Sequence, residues 1–351
     1  MNPVVFKIAH VVVPPIARVI CAPAGYAGIA SIESDNKIST IETVEFTNLF
    51  LGKDASVAEL IDKIRGLEPF RALWLAEGLG QVLGNRAMAR GENPRDLLSR
   101  GEGAQVPESM QLMVHAGLCL AFGRYHFDKI GKNPTAAQIR DATIRIAELA
   151  RLNLLPGYAG IGYEAWGMVT QFFYRPLFAT VTQTMEEIDP EHAPFLWHGA
   201  GRASYFIDFM PRWNEPWPGF PLIDRMVTSG TSRLNLIAGL ASGMMIVNMK
   251  TPVILEAIVK ERVSRLFSGD VAAFAQGVAC GMVMRQDTSP NEEHALNFVR
   301  HVPAPGVAAL FEKIVAGPAR LALEKLHPKL KAEHSLDQVC CYRPLDELLA
   351  D

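Results

Sequence analysis

Only five of the 351 residues are cysteine, namely Cys21, Cys119, Cys280, Cys340 and Cys341, an odd number without metal-ligand spacing. This argues against a disulfide framework and suits thiols used as small core residues in a reducing compartment. Charge of one sign is also scarce. The formal net charge is −3 with Lys and Arg dispersed along the chain, so no basic stripe is offered to nucleic acid. Long apolar runs are missing as well: the nearest, residues 234–249, is interrupted by Asn235, Ser242 and Asn248 and stops short of the roughly 18–20 residues of a membrane helix. Residues 1–22 are apolar, but His10, Pro14, Pro15 and Arg18 interrupt the continuous stretch a secretion signal needs. A cytoplasmic location is therefore expected, with peripheral membrane contact through this stretch left open.

Several chemical motifs are lacking. His115 and His126 would stand about 16 Å apart along one helix, too far to share an ion, and no His-x-x-x-His pair occurs. Neither a metal nor a cofactor is expected. Lys250 and Arg285 close two apolar segments near Thr251-Pro252 and Ser289-Pro290, as basic residues do at helix C-termini, and no glycine-rich loop makes them a phosphate site. The aspartate-rich signatures of terpene cyclases, Asp-Asp-x-x-Asp and Asp-x-Asp-Asp, are missing too.

What the chain does have is a paced repeat. Six short apolar stretches turn on glycine, at residues 78–84, 117–123, 162–167, 199–203, 239–243 and 277–281. Their first glycines are 39, 45, 37, 40 and 38 residues apart, the length of one helical hairpin in an α-repeat protein. Gly or Ala at i and i+4 strips one helix face and lets backbones approach. More polar segments alternate with these, clearest over residues 135–152, where Ile139, Ala142, Ile146, Leu149 and Leu152 form a stripe behind a Thr135 cap. Residues 253–267 and 303–326 repeat that pattern.

The spacing predicts a mainly α protein of about six helical hairpins, closed as an α/α toroid or open as an α-solenoid, with the glycine helices inside. Three regions are expected: an irregular, partly extended N-terminal segment over 1–55, a helical repeat domain over 56–330 and a C-terminal tail over 331–351. The first region is read as extended because of β-branched runs such as Val11-Val12-Val13. Helices should begin near Ser56, with Asp54 or Ser56 as the cap.

The phrases Glu77-Gly78-Leu79-Gly80, Gly162-Tyr163-Glu164-Ala165-Trp166-Gly167, His198-Gly199-Ala200-Gly201-Arg202 through Phe206, and Gln276-Gly277-Val278-Ala279 resemble, in order over roughly residues 70–290, a bacterial family from enediyne and related polyketide gene clusters, the enediyne biosynthesis protein type. His198 stands where that family commonly has an acidic residue or Gln. The resemblance implies a role in natural-product biosynthesis and names no reaction.

Candidate chemistry gathers in the same third of the chain. His198, Arg202 and Tyr205 share a helical face at i, i+4 and i+7 with Asp208 nearby, while Glu77 and Glu164 belong to glycine phrases of separate repeats. His198, Arg202, Asp208, Glu164 and Glu77 are the candidate proton-transfer residues, against the plainer reading of ion pairs locking adjacent repeats. Tyr163, Trp166, Phe173, Trp197, Tyr205, Phe206 and Phe209 are candidates to wall a hydrophobic substrate, against ordinary core packing. Two functions follow: a cyclase or isomerase working by proton transfer on a polyene, polyketide or isoprenoid, or a non-catalytic carrier or scaffold for such a metabolite or an assembly-line partner. Self-association is compatible with both.

Overall fold

The computed structural model describes residues 3–47, 55–91, 93–207 and 215–350. The described residues are mainly helical and contain no β-strand. Each glycine phrase lies on its own helix: 78–84 on α4 (Pro69–Ala89), 117–123 on α5 (Glu108–Lys129), 162–167 on α7 (Ala159–Phe173), 199–203 on α9 (Ala193–Ile207), 239–243 on α11 (Gly230–Asn248) and 277–281 on α13 (Ser268–Thr288). Between them run the helices with a solvated face: α6 (Ala136–Asn153), α8 (Phe178–Ile188), α10 (Gly219–Met226) and α12 (Val253–Glu261). Helices α1 (Pro3–Cys21), α2 (Ala27–Phe46) and α3 (Val57–Arg65) precede this set, and α14 (Glu293–Val299) follows it.

The glycine helices pack in series, α4 on α5, α5 on α7, α7 on α9, α9 on α11 and α11 on α13. Missing side chains are what allow this. A methyl group built on Gly117 would lie 1.8 Å from the Glu77 carbonyl oxygen, one on Gly199 1.7 Å from that of Glu164, and one on Gly239 1.8 Å from that of His198. Backbone therefore touches backbone where α4 meets α5, α7 meets α9, α9 meets α11 and α11 meets α13, whereas α5 and α7 meet through side chains at Gly123 and Gly162, and the candidate chemical residues sit at points of close approach. At the far end of the series α13 reaches back to α4, where Arg285 Nη1 donates to the Phe70 carbonyl at 2.7 Å and Ser289 Oγ to that of Pro69 at 3.0 Å.

Local signals read from the sequence place the outer helices correctly. Thr135 caps α6 in a capping box with Gln138, and Ile139, Ala142, Ile146 and Leu149 are buried behind it. Ser56 does the same for α3 with Glu59; Asp54 lies outside the described residues. Replacing Thr135 with Ala removes the acceptor for the Gln138 N–H, and chemical denaturation should show a loss of about 1 kcal/mol.

Three expectations are corrected. The N-terminal segment is helical, not irregular or extended, since α1 and α2 pair with each other and packing overrides the weak strand preference of Val11, Val12 and Val13. Helix α1 also makes residues 4–24 long and apolar enough to cross a membrane, which the run 234–249 is not. Lastly, residues 331–351 do not trail off. Val339, Cys340 and Leu348 join the main core, Gln276 of α13 donates to the carbonyls of Val339 (2.8 Å) and Cys341 (3.2 Å), and Asp337 accepts from the Gly160 N–H of α7 at 2.8 Å. The helical run before it, 308–332, widens into π-helix at Glu312–Ala316 and Ala322–Leu326. Each widening comes just ahead of a proline, Pro318 or Pro328, which has no N–H for the preceding turn.

Candidate functional site

Glu77 on α4, Glu164 on α7 and His198 and Arg202 on α9 converge in the interior, each no more than 2% exposed. The convergence follows from the crossings: a residue whose carbonyl faces a neighbour's glycine lies at the inner seam of two helices. Arg202 Nη2 donates to Glu164 Oε2 at 2.6 Å and stands 3.6 Å from Glu77 Oε1. His198 Nδ1 is 3.4 Å from Glu164 Oε1. Glu164 is thus spanned by two donors, whereas Glu77 Oε1 has no hydrogen-bond partner among the described residues.

That asymmetry sets the chemistry of the two acids. Burial pushes the Glu77 carboxyl up to about 7, Arg202 pulling against it and the like charge of Glu164 adding to it. A carboxyl poised there exchanges a proton near neutral pH. Burial alone would push the His198 imidazole down, but the Cys280 thiol and Glu164 outweigh it and its affinity for a proton is raised. Cys280 answers in the opposite sense: burial opposes ionisation, but its neighbours Cys340 and His198 lower its pKa nonetheless. Ser242 Oγ lies 3.5 Å from the Cys280 sulfur.

Beside this cluster opens a cavity of about 80 Å³, bounded by α2, α4, α5, α7 and α9. Ile41, Val44, Trp74, Leu120, Val169 and Phe206 make it apolar; Glu77 and Gln81, one turn apart on α4, supply polar groups, with Thr40, Glu45 and Arg124 also lining it. Arg124 pairs with Glu45 at 3.5 Å and covers the ring of half-exposed Phe173 at 4.8 Å. An engineered cavity of about 150 Å³ holds benzene, and this one is roughly half that size.

No protein-family model, curated protein or solved structure matches this chain.

Of the residues singled out in the sequence, Glu77, Glu164, His198 and Arg202 come together, but only Glu77 reaches the cavity. Among the aromatics, Phe173 and Phe206 line it. The other described ones are used in packing. Tyr163 donates to Asp189 at 3.1 Å and stacks on His192, Trp166 is fully buried and Trp197 meets Phe178 edge-on at 5.0 Å. Tyr205 accepts from Asn248 at 2.6 Å beneath the Lys37 ammonium. Asp208 and Phe209 lie outside the described residues. His115 is a structural histidine: Nδ1 donates to the Gln111 carbonyl at 2.6 Å, Nε2 accepts from the Leu155 N–H at 3.1 Å, and burial pushes it down to about 4.

Sequence reasoning missed the α2 wall, Gln81, Arg124 and the Cys280–Cys340 pair. Gln81 had a usable signal, being at i+4 from Glu77 on the same helix. The rest had none, since the 59 residues between the two cysteines carry no pattern that joins them.

Proposed function

We propose that this chain binds the apolar end of a long polyketide, polyene or isoprenoid intermediate in the cavity beside Glu77 and moves a proton within it, as a biosynthetic isomerase or cyclase. The observation that carries this reading is Glu77, an acid poised near pH 7, at the edge of a largely apolar pocket whose second acid, Glu45, is paired with Arg124. The six inner helices are read as an α/α ring, supported by the return of α13 to α4, with the ion cluster at its centre.

Acid strength narrows the substrate. A carboxyl of this strength is far too weak to protonate an isolated alkene, but its ionised form matches the task of removing a proton next to a carbonyl. Ionised Glu77 takes a proton from carbon, the electron pair moves toward the carbonyl oxygen, and the acid returns its proton at a different carbon, shifting the double bond. Arg202, 3.6 Å from Glu77 Oε1, balances the charge on the ionised acid, while Glu164 is a positioning residue that holds Arg202 and is itself held by His198.

The test uses cis-parinaric acid as a fluorescent polyene probe and deuterium uptake from D₂O into an unsaturated ketone of similar length. Glu77→Gln should keep parinarate affinity within about twofold and lower deuterium uptake by at least about 100-fold; in the unaltered protein uptake should rise with pH through about 7. Binding without uptake in both proteins would leave the carrier reading in its place, and uptake unchanged in Glu77→Gln would remove Glu77 from the chemistry.

A further inference from the structure

Helix α1 is apolar on two opposite faces, and only one of them is used inside the protein. Phe6, Ala17 and Cys21 are buried, the last two in a small cluster with Ala30 of α2 that stands apart from the main core. On the other side Val5, Ile8, Val11, Val12, Ile16 and Val19 are exposed, Val11 and Val19 by 71% and 70%. At 3.6 residues per turn these six fall within one arc of about 140°. Lys7 and Arg18, both exposed, fall together along one border of that arc.

Charge tells which surface fits this face. The charged or titratable residues of α1 are Lys7, His10, Arg18 and the buried Cys21, with no carboxylate among them. The neighbouring acids Asp35 and Glu42 of α2 are turned toward the seam, where His10 Nδ1 and Nε2 lie 2.7 and 3.1 Å from their oxygens. What faces outward is therefore a broad aliphatic stripe with a basic edge, the pattern of a helix lying in the headgroup region of an anionic bilayer. Crossing the bilayer does not suit the hairpin. Helix α2 is paired along α1 and carries Glu33, Asp35, Lys37, Glu42 and Glu45, too many charges to follow it into hydrocarbon.

We propose that the outer face of α1 docks this protein on an anionic lipid surface, α1 lying in the interface with its aliphatic stripe inserted and Lys7 and Arg18 against headgroup phosphates. The docking stands on α1 alone and does not depend on the reading of the Glu77 pocket. It does place the hairpin usefully, because Thr40, Ile41 and Val44 of α2 line that pocket.

Co-sedimentation of the full-length protein with vesicles tests this, comparing phosphatidylcholine alone with a mixture containing one third phosphatidylglycerol. Binding is expected to the anionic vesicles and to weaken steeply in 1 M salt, where screening acts within about 3 Å. Lys7→Gln with Arg18→Gln should lower the partition coefficient about 30-fold, and Ile8→Asp with Val11→Asp should abolish it, with circular dichroism unchanged in both. Three results would overturn the proposal. They are no binding to either vesicle, resistance to a sodium carbonate wash, which means a spanning helix, and a dimer without vesicle binding that Ile8→Asp with Val11→Asp dissociates, which means a second copy covers the face.

Discussion

Arg202→Met should destabilise the protein by about 3–5 kcal/mol at neutral pH, the range for removing one partner of a buried ion pair. Arg202 is 1% exposed and is the cation between Glu164, at 2.6 Å, and Glu77, at 3.6 Å. Methionine fills much of the same volume, so the loss measures charge more than a cavity. With the guanidinium gone, Glu164 keeps only His198 and two like carboxyls face each other out of water, so protonation is their cheapest response. The sign of the pH dependence follows. A carboxyl whose folded pKa lies above its unfolded value favours the fold below the unfolded pKa and loses that advantage as pH rises through the folded one. Glu77, pushed up to about 7 from an ordinary 4.5, already behaves so with Arg202 present, and the variant should exaggerate it. Its deficit should be small near pH 4.5 and widen toward pH 8. Denaturant midpoints across that range give the curve, and Glu164→Gln added to Arg202→Met should restore part of the loss. A deficit under about 1 kcal/mol at pH 8 would mean that the cluster is solvated and that Arg202 does not hold Glu77.

How much of this was readable beforehand depends on how local each signal is. The glycine pacing is a property of single helices, every crossing uses it, and so the helical class and the inner set α4, α5, α7, α9, α11 and α13 could be read directly. Glu77, Glu164, His198 and Arg202 could be grouped for the same reason, because each belongs to a glycine phrase and the crossings carry those phrases to the interior. The aromatic third was harder. Tyr163, Trp166, Trp197 and Tyr205 look in sequence like Phe173 and Phe206, but only the latter two meet the cavity, and no local pattern separates a ring that packs from one that faces a void. Helices α1 and α2 were misread because valine's preference for strands is worth only tenths of a kcal/mol per residue, less than the pairing of two helices supplies. The tail was misjudged because Gln276 and Gly160 bind residues more than 60 positions away.

The same crossings give a sharper test of the fold than any polar residue. Gly199→Ala places a methyl carbon where the Glu164 carbonyl oxygen already lies, 1.7 Å from the built position. That oxygen is backbone in the middle of α7 and has no rotamer to escape by, so α7 and α9 must separate. Separation also opens the reciprocal contact, since Gly167 of α7 faces the Leu196 carbonyl of α9 at 2.1 Å from a built methyl. Close packing lost on both sides of one crossing should cost about 3 kcal/mol or more, at the upper end for overpacked cores. It should also draw Glu164 away from Arg202, so the neutral-pH behaviour of Gly199→Ala should resemble that of Arg202→Met, which a mere loss of packing would not produce. Gly28→Ala is the control: Gly28 is exposed in the first turn of α2 with nothing within 4 Å of a built methyl, and alanine there should be neutral or slightly stabilising. Equal stability of the two variants would mean that the helices of the glycine series do not touch backbone to backbone, and the placement of Glu77 beside Arg202 would fall with it.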